Sequence, residues 1–318
     1  MTRKIGLVFD IDGVFREGKR IIPCANDSFD LLERNNIPYV FLSNGYGSPA
    51  WKAQEMSEIF ERDFDAHQFV LSSSPYRSLT VDFKNTPILC IGSHEMCHIV
   101  GENVGFKKIV TIQDIAALCP SILPMGSLFP RHPTPERLDE VRKLLIDEPI
   151  SAIAYINDNY WYPAMQICTD VYRRGGRVLP ETFPLSKADN IPLFICNPDL
   201  HYASSFPDPR LTQGSFEICL SALIKQTLNI DIKVVKCGKP TRISFDYAGS
   251  LLDVDEHWMI GDSSFSDIRG ANAIGWKSAL VKTGLGKYTD VDALAPEEKP
   301  TIVCENVLEA IKTICNLK

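Results

Sequence analysis

No apolar run in this 318-residue chain approaches the roughly 20 residues that a membrane-spanning helix needs, so no spanning helix is expected. Basic residues are in deficit. Lys and Arg number 33 against 40 Asp and Glu, a formal net charge of -7. General nucleic-acid binding needs the opposite balance, because phosphates must be neutralised, so no nucleic-acid partner is expected. The ten cysteines form no C-x-x-C pair, and several sit in apolar runs such as "PILCIG" and "LFICNPD". That usage excludes a disulfide frame and predicts buried, reduced thiols. Internal repeats and low-complexity tracts are also missing. No signal or transit peptide stands before "KIGLVFD", which predicts a cytoplasmic protein, or a mitochondrial one whose presequence lies outside this sequence.

What is present is an alternation of strand and helix. "IGLVFD" and "IPYVFLSN" are short, nearly unbroken apolar runs, as expected of strands buried on both faces. "ANDSFDLLERNN" has helical spacing. "SPAWKAQEMSEIF" reads as a helix with Ser48 as N-cap and Pro49 at its first position. The last hundred residues repeat the style, with helices at "GSFEICLSALIKQTL", "PTRISFDYAGSLL", "SFSDIRGANAIG" and "NVLEAIKTIC" and strands at "IKVVKCG", "HWMIGD" and "WKSALV". Such alternation predicts an α/β fold, a doubly wound parallel sheet with right-handed crossovers. The middle of the chain, rich in Pro and aromatics, reads as an insertion. The expected division is a core of residues 1–84 and 210–318, with an inserted domain at 85–209.

Acidic residues fall where chemistry is expected. "FDIDGV" puts Asp10 and Asp12 just past the first strand, on one side of an extended chain. Open α/β sheets bind ligands beyond the carboxyl ends of their strands. Two adjacent carboxylates repel unless a cation or a proton intervenes, and hard oxygen ligands suit Mg²⁺. "FLSNG" ends the second strand with Ser43 and Asn44, a hydroxyl and backbone N–H groups suited to phosphate. "KCGKP" places Lys239 on a loop after a strand, and "MIGDSSFSD" supplies Asp262, Ser263 and Asp267 after another. Each alone has an ordinary explanation: a solvated turn, a helix cap, a surface loop. All four at successive strand ends are hard to explain that way.

"DIDGV", "SN", the Lys of "GKP" and "GDSSFSD" together resemble the four motifs of the haloacid dehalogenase-like (HAD) superfamily. The resemblance spans nearly the whole chain. An insertion between the second and third motifs, with "CNPD", "GSF" and "GKP", is similar to class IIA members. Longer stretches resemble the branch of cat eye syndrome critical region HAD-like hydrolases. The resemblance implies a Rossmann-like core, an inserted α/β cap, and an Mg²⁺-dependent phosphatase acting on a small phosphorylated metabolite. It assigns Asp10 as nucleophile and Asp12 as acid and base. Asp10, Asp12 (through its carbonyl) and Asp262 would hold the metal. Ser43, Asn44 and Lys239 would hold the phosphoryl group, and Asp267 and Ser263 would support them. The presence of Asp12 favours phosphoryl transfer over carbon–halogen cleavage. The cap would select the substrate, with Asn157, Asp158, Asn159, Trp161, Asn197, Asp199 and His201 as candidate contacts, and could join two copies into a homodimer.

Two other readings compete. "HEMCHIVG" fits His-Glu-x-x-His, in which two histidines one helical turn apart hold zinc. The extended pattern wants a histidine where Val104 stands. The wheel groups Met96, Ile99 and Val100 on one face, and His94 and His98 with Glu95 on the opposite one, which should point to solvent. A zinc peptidase is therefore disfavoured. The other rival is a HAD scaffold kept for binding or regulation, which intact motifs argue against.

Overall fold

The computed structural model describes residues 4–126, 129, 133–157, 160–182, 190–202, 208 and 210–317. They divide into two compact units. The first comprises Met1–Pro75, His201–Arg210 and Cys237–Lys318, and the second Tyr76–Leu200 and Leu211–Lys236.

In the first unit the strands run Ile302–Cys304, Lys277–Val281, Glu256–Gly261, Ile5–Phe9, Tyr39–Ser43 and Phe69–Leu71 across the sheet. Every pairing is parallel. Numbered along the unit's own chain, the order is 6-5-4-1-2-3, the doubly wound Rossmann order. Its switch point lies between Ile5–Phe9 and Glu256–Gly261, so ligands are expected where Asp10 and Asp262 emerge. Hydrophobic burial fixes the loop after the first strand. Ile11, Val14 and Phe15 are fully buried, and Phe15 stacks on Phe29 of helix Ala25–Arg34 with ring centroids 4.6 Å apart. Each such side chain stabilises its segment by about 1.5–3 kcal/mol. The loop that carries Asp10 and Asp12 is thus held in place by its apolar neighbours.

The helix read from "SPAWKAQEMSEIF" forms over Pro49–Phe60, and Ser48 caps it by accepting the Trp51 N–H at 3.2 Å. "SFSDIRGANAIG" departs from a plain helix. Ser264–Ile268 is a wide π turn, and the α-helix covers only Arg269–Ala273. The turn widens at Ser263, whose carbonyl accepts both the Asp267 N–H at 3.0 Å and the Ile268 N–H at 3.2 Å, while the Asp267 Oδ2 accepts the Ser263 N–H at 3.0 Å.

The second unit has a parallel sheet of its own: Val234–Lys236, Leu193–Ile195, Ala152–Tyr155, Pro87–Ile91 and Lys108–Thr111. In its own numbering this is 5-4-3-1-2, a second doubly wound order. The unit reaches past residue 209, where the sequence reading ended it. Helix Gln213–Leu228 and strand Val234–Lys236 pack with the inserted sheet, since Val234–Lys236 pairs with Leu193–Ile195. Two motifs meet here. The Gln213 Oε1 accepts the Asn197 N–H at 3.1 Å. A Cβ on Gly214 would lie 2.3 Å from the Pro198 carbonyl oxygen, so only glycine lets "GSF" sit against "CNPD". Seven of the ten cysteines are buried and all ten are free, as expected of packing thiols.

Candidate active site

Asp10 lies at the end of strand Ile5–Phe9 and is buried, as are Lys239, Asp262 and Asp267. The Lys239 Nζ is 2.7 Å from the Asp10 Oδ1 and 2.7 Å from the Asp267 Oδ1. One carboxylate oxygen from each of Asp10, Asp262 and Asp267 lies within 4.8 Å of the others. Asp10 and Asp267 therefore share one ammonium, with Asp262 beside them. Burial pushes the Asp10 carboxyl up, Lys239 draws it down and Asp267 pushes it up again, leaving it at about 7. Burial, followed by Asp10 and Asp267, raises the Asp262 carboxyl well above its usual range. Burial works against the charge on Lys239, but Asp10 and Asp267 outweigh it and hold its proton above the ordinary lysine value.

The oxygens sort themselves by what they already bond. Asp267 is occupied on both sides, by Lys239 and by the Ser263 N–H. The Asp262 Oδ2 accepts the Leu285 N–H at 2.7 Å. Among the described residues nothing donates to the Asp262 Oδ1 or the Asp10 Oδ2. These two oxygens suit a cation, and the donor set is the hard-oxygen kind that Mg²⁺ prefers. Gly13, at φ +89°, makes the approach possible, since a Cβ there would lie 2.0 Å from the Asp262 Oδ2.

Ser43 is buried, and its Oγ accepts the Gly45 N–H at 3.0 Å. Its hydroxyl hydrogen thus stays available to donate. The Asn44 side chain does something the sequence does not reveal. Its Oδ1 accepts the Lys239 N–H at 2.7 Å, and its Nδ2 donates to the Lys239 carbonyl at 2.9 Å. A residue at one strand end clamps the lysine backbone 195 positions further along the chain. Asp12 keeps its side chain half exposed, with its Oδ1 accepting the Arg16 Nε–H at 2.9 Å.

Of the residues expected to touch substrate from the insertion, Asn157, Trp161, Asn197 and Asp199 have partners within the second unit. The buried Asn157 spans the sheet's switch point, accepting the Ser93 N–H on its Oδ1 at 3.0 Å. Trp161 packs edge-on against Phe216, with centroids 5.6 Å apart. The Asn197 Oδ1 accepts the Asp199 N–H at 2.9 Å, which shapes the "CNPD" turn. His201 sits in the short exposed strand His201–Tyr202. Asp158 and Asn159 lie outside the described residues.

"HEMCHIVG" does open a helix, His94–Val104, capped by Ser93 and ended by Gly105. Its orientation corrects the expectation from the wheel. The buried face is Cys97, Val100, Gly101 and Val104, and both histidines are half-buried. His94 Nδ1 lies 3.1 Å from the Thr111 Oγ1. Burial, then Arg137 and His94, lower the His98 pKa. Thr111, on a strand of the inserted sheet, meets His94, and a wheel cannot show it. Among the described residues no third ligand joins them; the three aspartates form the one group suited to a metal.

A carboxylate–lysine cluster at the switch point of a doubly wound sheet, in a chain interrupted by a second α/β unit, defines a Rossmann-like α/β fold with its site where such folds bind ligands. The chain belongs to the haloacid dehalogenase-like hydrolases. Residues 7–107 match the family model described as haloacid dehalogenase-like hydrolase, and residues 236–310 match the related HAD-hydrolase-like model. A mitochondrial hydrolase of Saccharomyces cerevisiae is 30% identical over 98% of this chain and 95% of its own length. A Schizosaccharomyces pombe fusion of cardiolipin synthase (CMP-forming) with a mitochondrial hydrolase is 28% identical over 95% of this chain, which spans 51% of that protein. Among solved structures, the p-nitrophenyl phosphatase of Archaeoglobus fulgidus matches with a TM-score of 0.68 at 17% identity, covering 98% of this chain and 99% of that one. A glycerol phosphate phosphatase of Mycobacterium tuberculosis, in complex with magnesium, matches with a TM-score of 0.65 at 17% identity, covering 96% of this chain and 76% of that one.

Proposed function

We propose that this chain is a Mg²⁺-dependent phosphatase that hydrolyses a small phosphorylated metabolite through an aspartyl-phosphate on Asp10. One observation carries the reading: Asp10, Asp262 and Asp267 are buried around a single lysine at the switch point. Asp10, Asp262 and the backbone carbonyl of Asp12 are the groups that would hold the cation. When bound, magnesium supplies positive charge that offsets the charge of the carboxylates and of the phosphoryl group.

The rest of the chemistry belongs to side chains. An Asp10 oxygen attacks phosphorus, forming the new P–O bond as the ester P–O bond breaks. Asp12 gives the leaving oxygen its proton, then takes one from the water that attacks the aspartyl-phosphate. Lys239 stays charged and faces the developing negative charge. The Ser43 hydroxyl and the Asn44 backbone N–H donate to the phosphoryl oxygens. Asp267 and the Asn44 side chain fix Lys239 from two directions, and the Ser263 N–H fixes Asp267. The activities of the two phosphatases support this reading, and the magnesium complex supports the choice of metal. The descriptions of the yeast relatives support a mitochondrial placement over a cytoplasmic one.

Hydrolysis of 4-nitrophenyl phosphate tests the proposal. Turnover should need Mg²⁺ and stop with EDTA. Absence of turnover on a panel of phosphate esters with any divalent cation would assign the chain to the binding class instead.

Stability should report the metal separately. In the metal-free protein Asp10 keeps its proton up to about 7, against 3.8 ordinarily. Between those values the folded state binds more protons than the unfolded one, so this contribution to stability falls as pH rises through the window. Magnesium binds the ionised carboxylates. It should therefore raise Tm more at about pH 8 than at about pH 5, measured by thermal melts with and without the metal. An equal rise at both would count against the aspartate cluster as the metal site.

A further inference from the structure

The loop after the first strand carries charged groups that the proposed reaction leaves unused. Arg16 is buried, with 8% of its side chain exposed. Its Nε donates to the Asp12 Oδ1 at 2.9 Å, and its Nη1 lies 3.1 Å from the Glu55 Oε1. The other Glu55 oxygen takes the Nζ of Lys52 at 2.6 Å, and the Lys52 side chain is 6% exposed. Asp12, Arg16, Glu55 and Lys52 thus form a row of alternating charge leading inward from the half-exposed Asp12. The backbone is tied as well: the Gly13 N–H donates to the Arg16 carbonyl at 2.6 Å.

Burial opposes the charge on Arg16, yet Asp12 and Glu55 hold its proton above the usual value. Burial alone would raise Glu55, yet Lys52 and Arg16 bring it below the ordinary range. Both therefore stay ionised. An ionic row whose two cations are buried is a poor device for stability, because apolar residues of similar size avoid the desolvation cost. Its distinctive product is orientation, since the planar guanidinium fork fixes two carboxylates relative to each other.

We propose that Arg16, held in place by Glu55 and Lys52, is a positioning residue that fixes the Asp12 carboxyl by its Oδ1 and leaves the Oδ2 to carry the proton destined for the leaving oxygen. The inference rests on the phosphatase reading, in which Asp12 is the acid. It predicts a dependence on the leaving group. The value of kcat/KM reports the steps through release of the first product. There 4-nitrophenolate leaves with little help, whereas phenolate and alkoxides need the proton.

The experiment compares kcat/KM for phenyl phosphate and 4-nitrophenyl phosphate, with Mg²⁺, in wild type, Arg16→Met, Arg16→Lys, Glu55→Gln and the Arg16→Met/Glu55→Gln double variant. Phenyl phosphate should lose about tenfold more than 4-nitrophenyl phosphate in each single variant, because displacement of a catalytic group costs most where that group is needed. Arg16→Lys should restore little, since one ammonium does not reproduce the fork. The double variant should be no worse than Arg16→Met, because both changes remove the same restraint. The ratio is taken within one sample, so any misfolded fraction cancels. If wild type hydrolyses both esters and the ratio stays constant across the variants, or if the two losses multiply, the positioning role is refuted while the phosphatase reading stands. If wild type hydrolyses neither ester, the phosphatase reading fails and this inference fails with it.

Discussion

Asp10→Asn should lower kcat on 4-nitrophenyl phosphate by about 10⁴-fold or more, since removing a nucleophile leaves only the binding and electrostatic parts of catalysis. The same variant should not weaken the fold. Asp10 is one of three buried acids around Lys239, and its raised carboxyl, at about 7, shows that its charge is poorly accommodated without a cation. Asparagine removes that charge, and Lys239 keeps Asp267 at 2.7 Å. Metal-free Tm at neutral pH is therefore expected to match or exceed that of wild type. Large loss of turnover with no loss of Tm separates a chemical role from a structural one. A variant that retains more than a few per cent of activity would require another nucleophile.

Lys239→Met should fail in both respects. The lysine is almost fully buried and is the shared counter-charge of Asp10 and Asp267. Breaking a buried pair by removing one partner costs about 3–5 kcal/mol when the remaining charge has no other partner. Part of that cost is relieved by protonation of the aspartates, so the metal-free variant should lose most stability at high pH, where they ionise. Activity should fall by about 10²–10³-fold, the loss typical of removing one preorganised positive group facing developing charge. Denaturant unfolding at two pH values and steady-state rates check both parts. Unchanged stability at high pH would mean that the aspartates have another counter-charge.

The contrast between these variants follows from how the site is written in the chain. Asp10, Asp12, Lys239 and Asp262 were legible as candidate site residues, because each stands just past an apolar run that reads as a buried strand, and Asp267 follows Asp262 in the same motif. So were local devices such as the Ser48 cap, whose signals lie within four residues. What the sequence hides is partnership across distance. Nothing near Asn44 announces that its amide clamps Lys239. Nothing near Arg16 announces Glu55, and the Leu285 N–H on Asp262 comes from the short 3₁₀ helix Gly284–Tyr288, which has no motif of its own. The end of the insertion was misplaced for the same reason. "IKVVKCG" reads as a strand for any parallel sheet, and only its pairing with Leu193–Ile195 assigns Val234–Lys236 to the inserted one. The helix of "HEMCHIVG" was found but turned the wrong way, because Thr111 on a neighbouring strand decides where His94 points.

The covalent step is the centre of the account, and Asp12→Asn exposes it most directly. With 4-nitrophenyl phosphate the first displacement needs little acid help, whereas the second still needs a base to activate water. The variant should therefore load phosphate onto Asp10 and release it slowly. After acid quench and digestion, mass spectrometry of the Mg²⁺-containing reaction should find a phosphorylated, hydroxylamine-labile peptide containing Asp10. Its absence, in a sample whose wild-type counterpart turns over, or a phosphate on any other residue, would contradict the account.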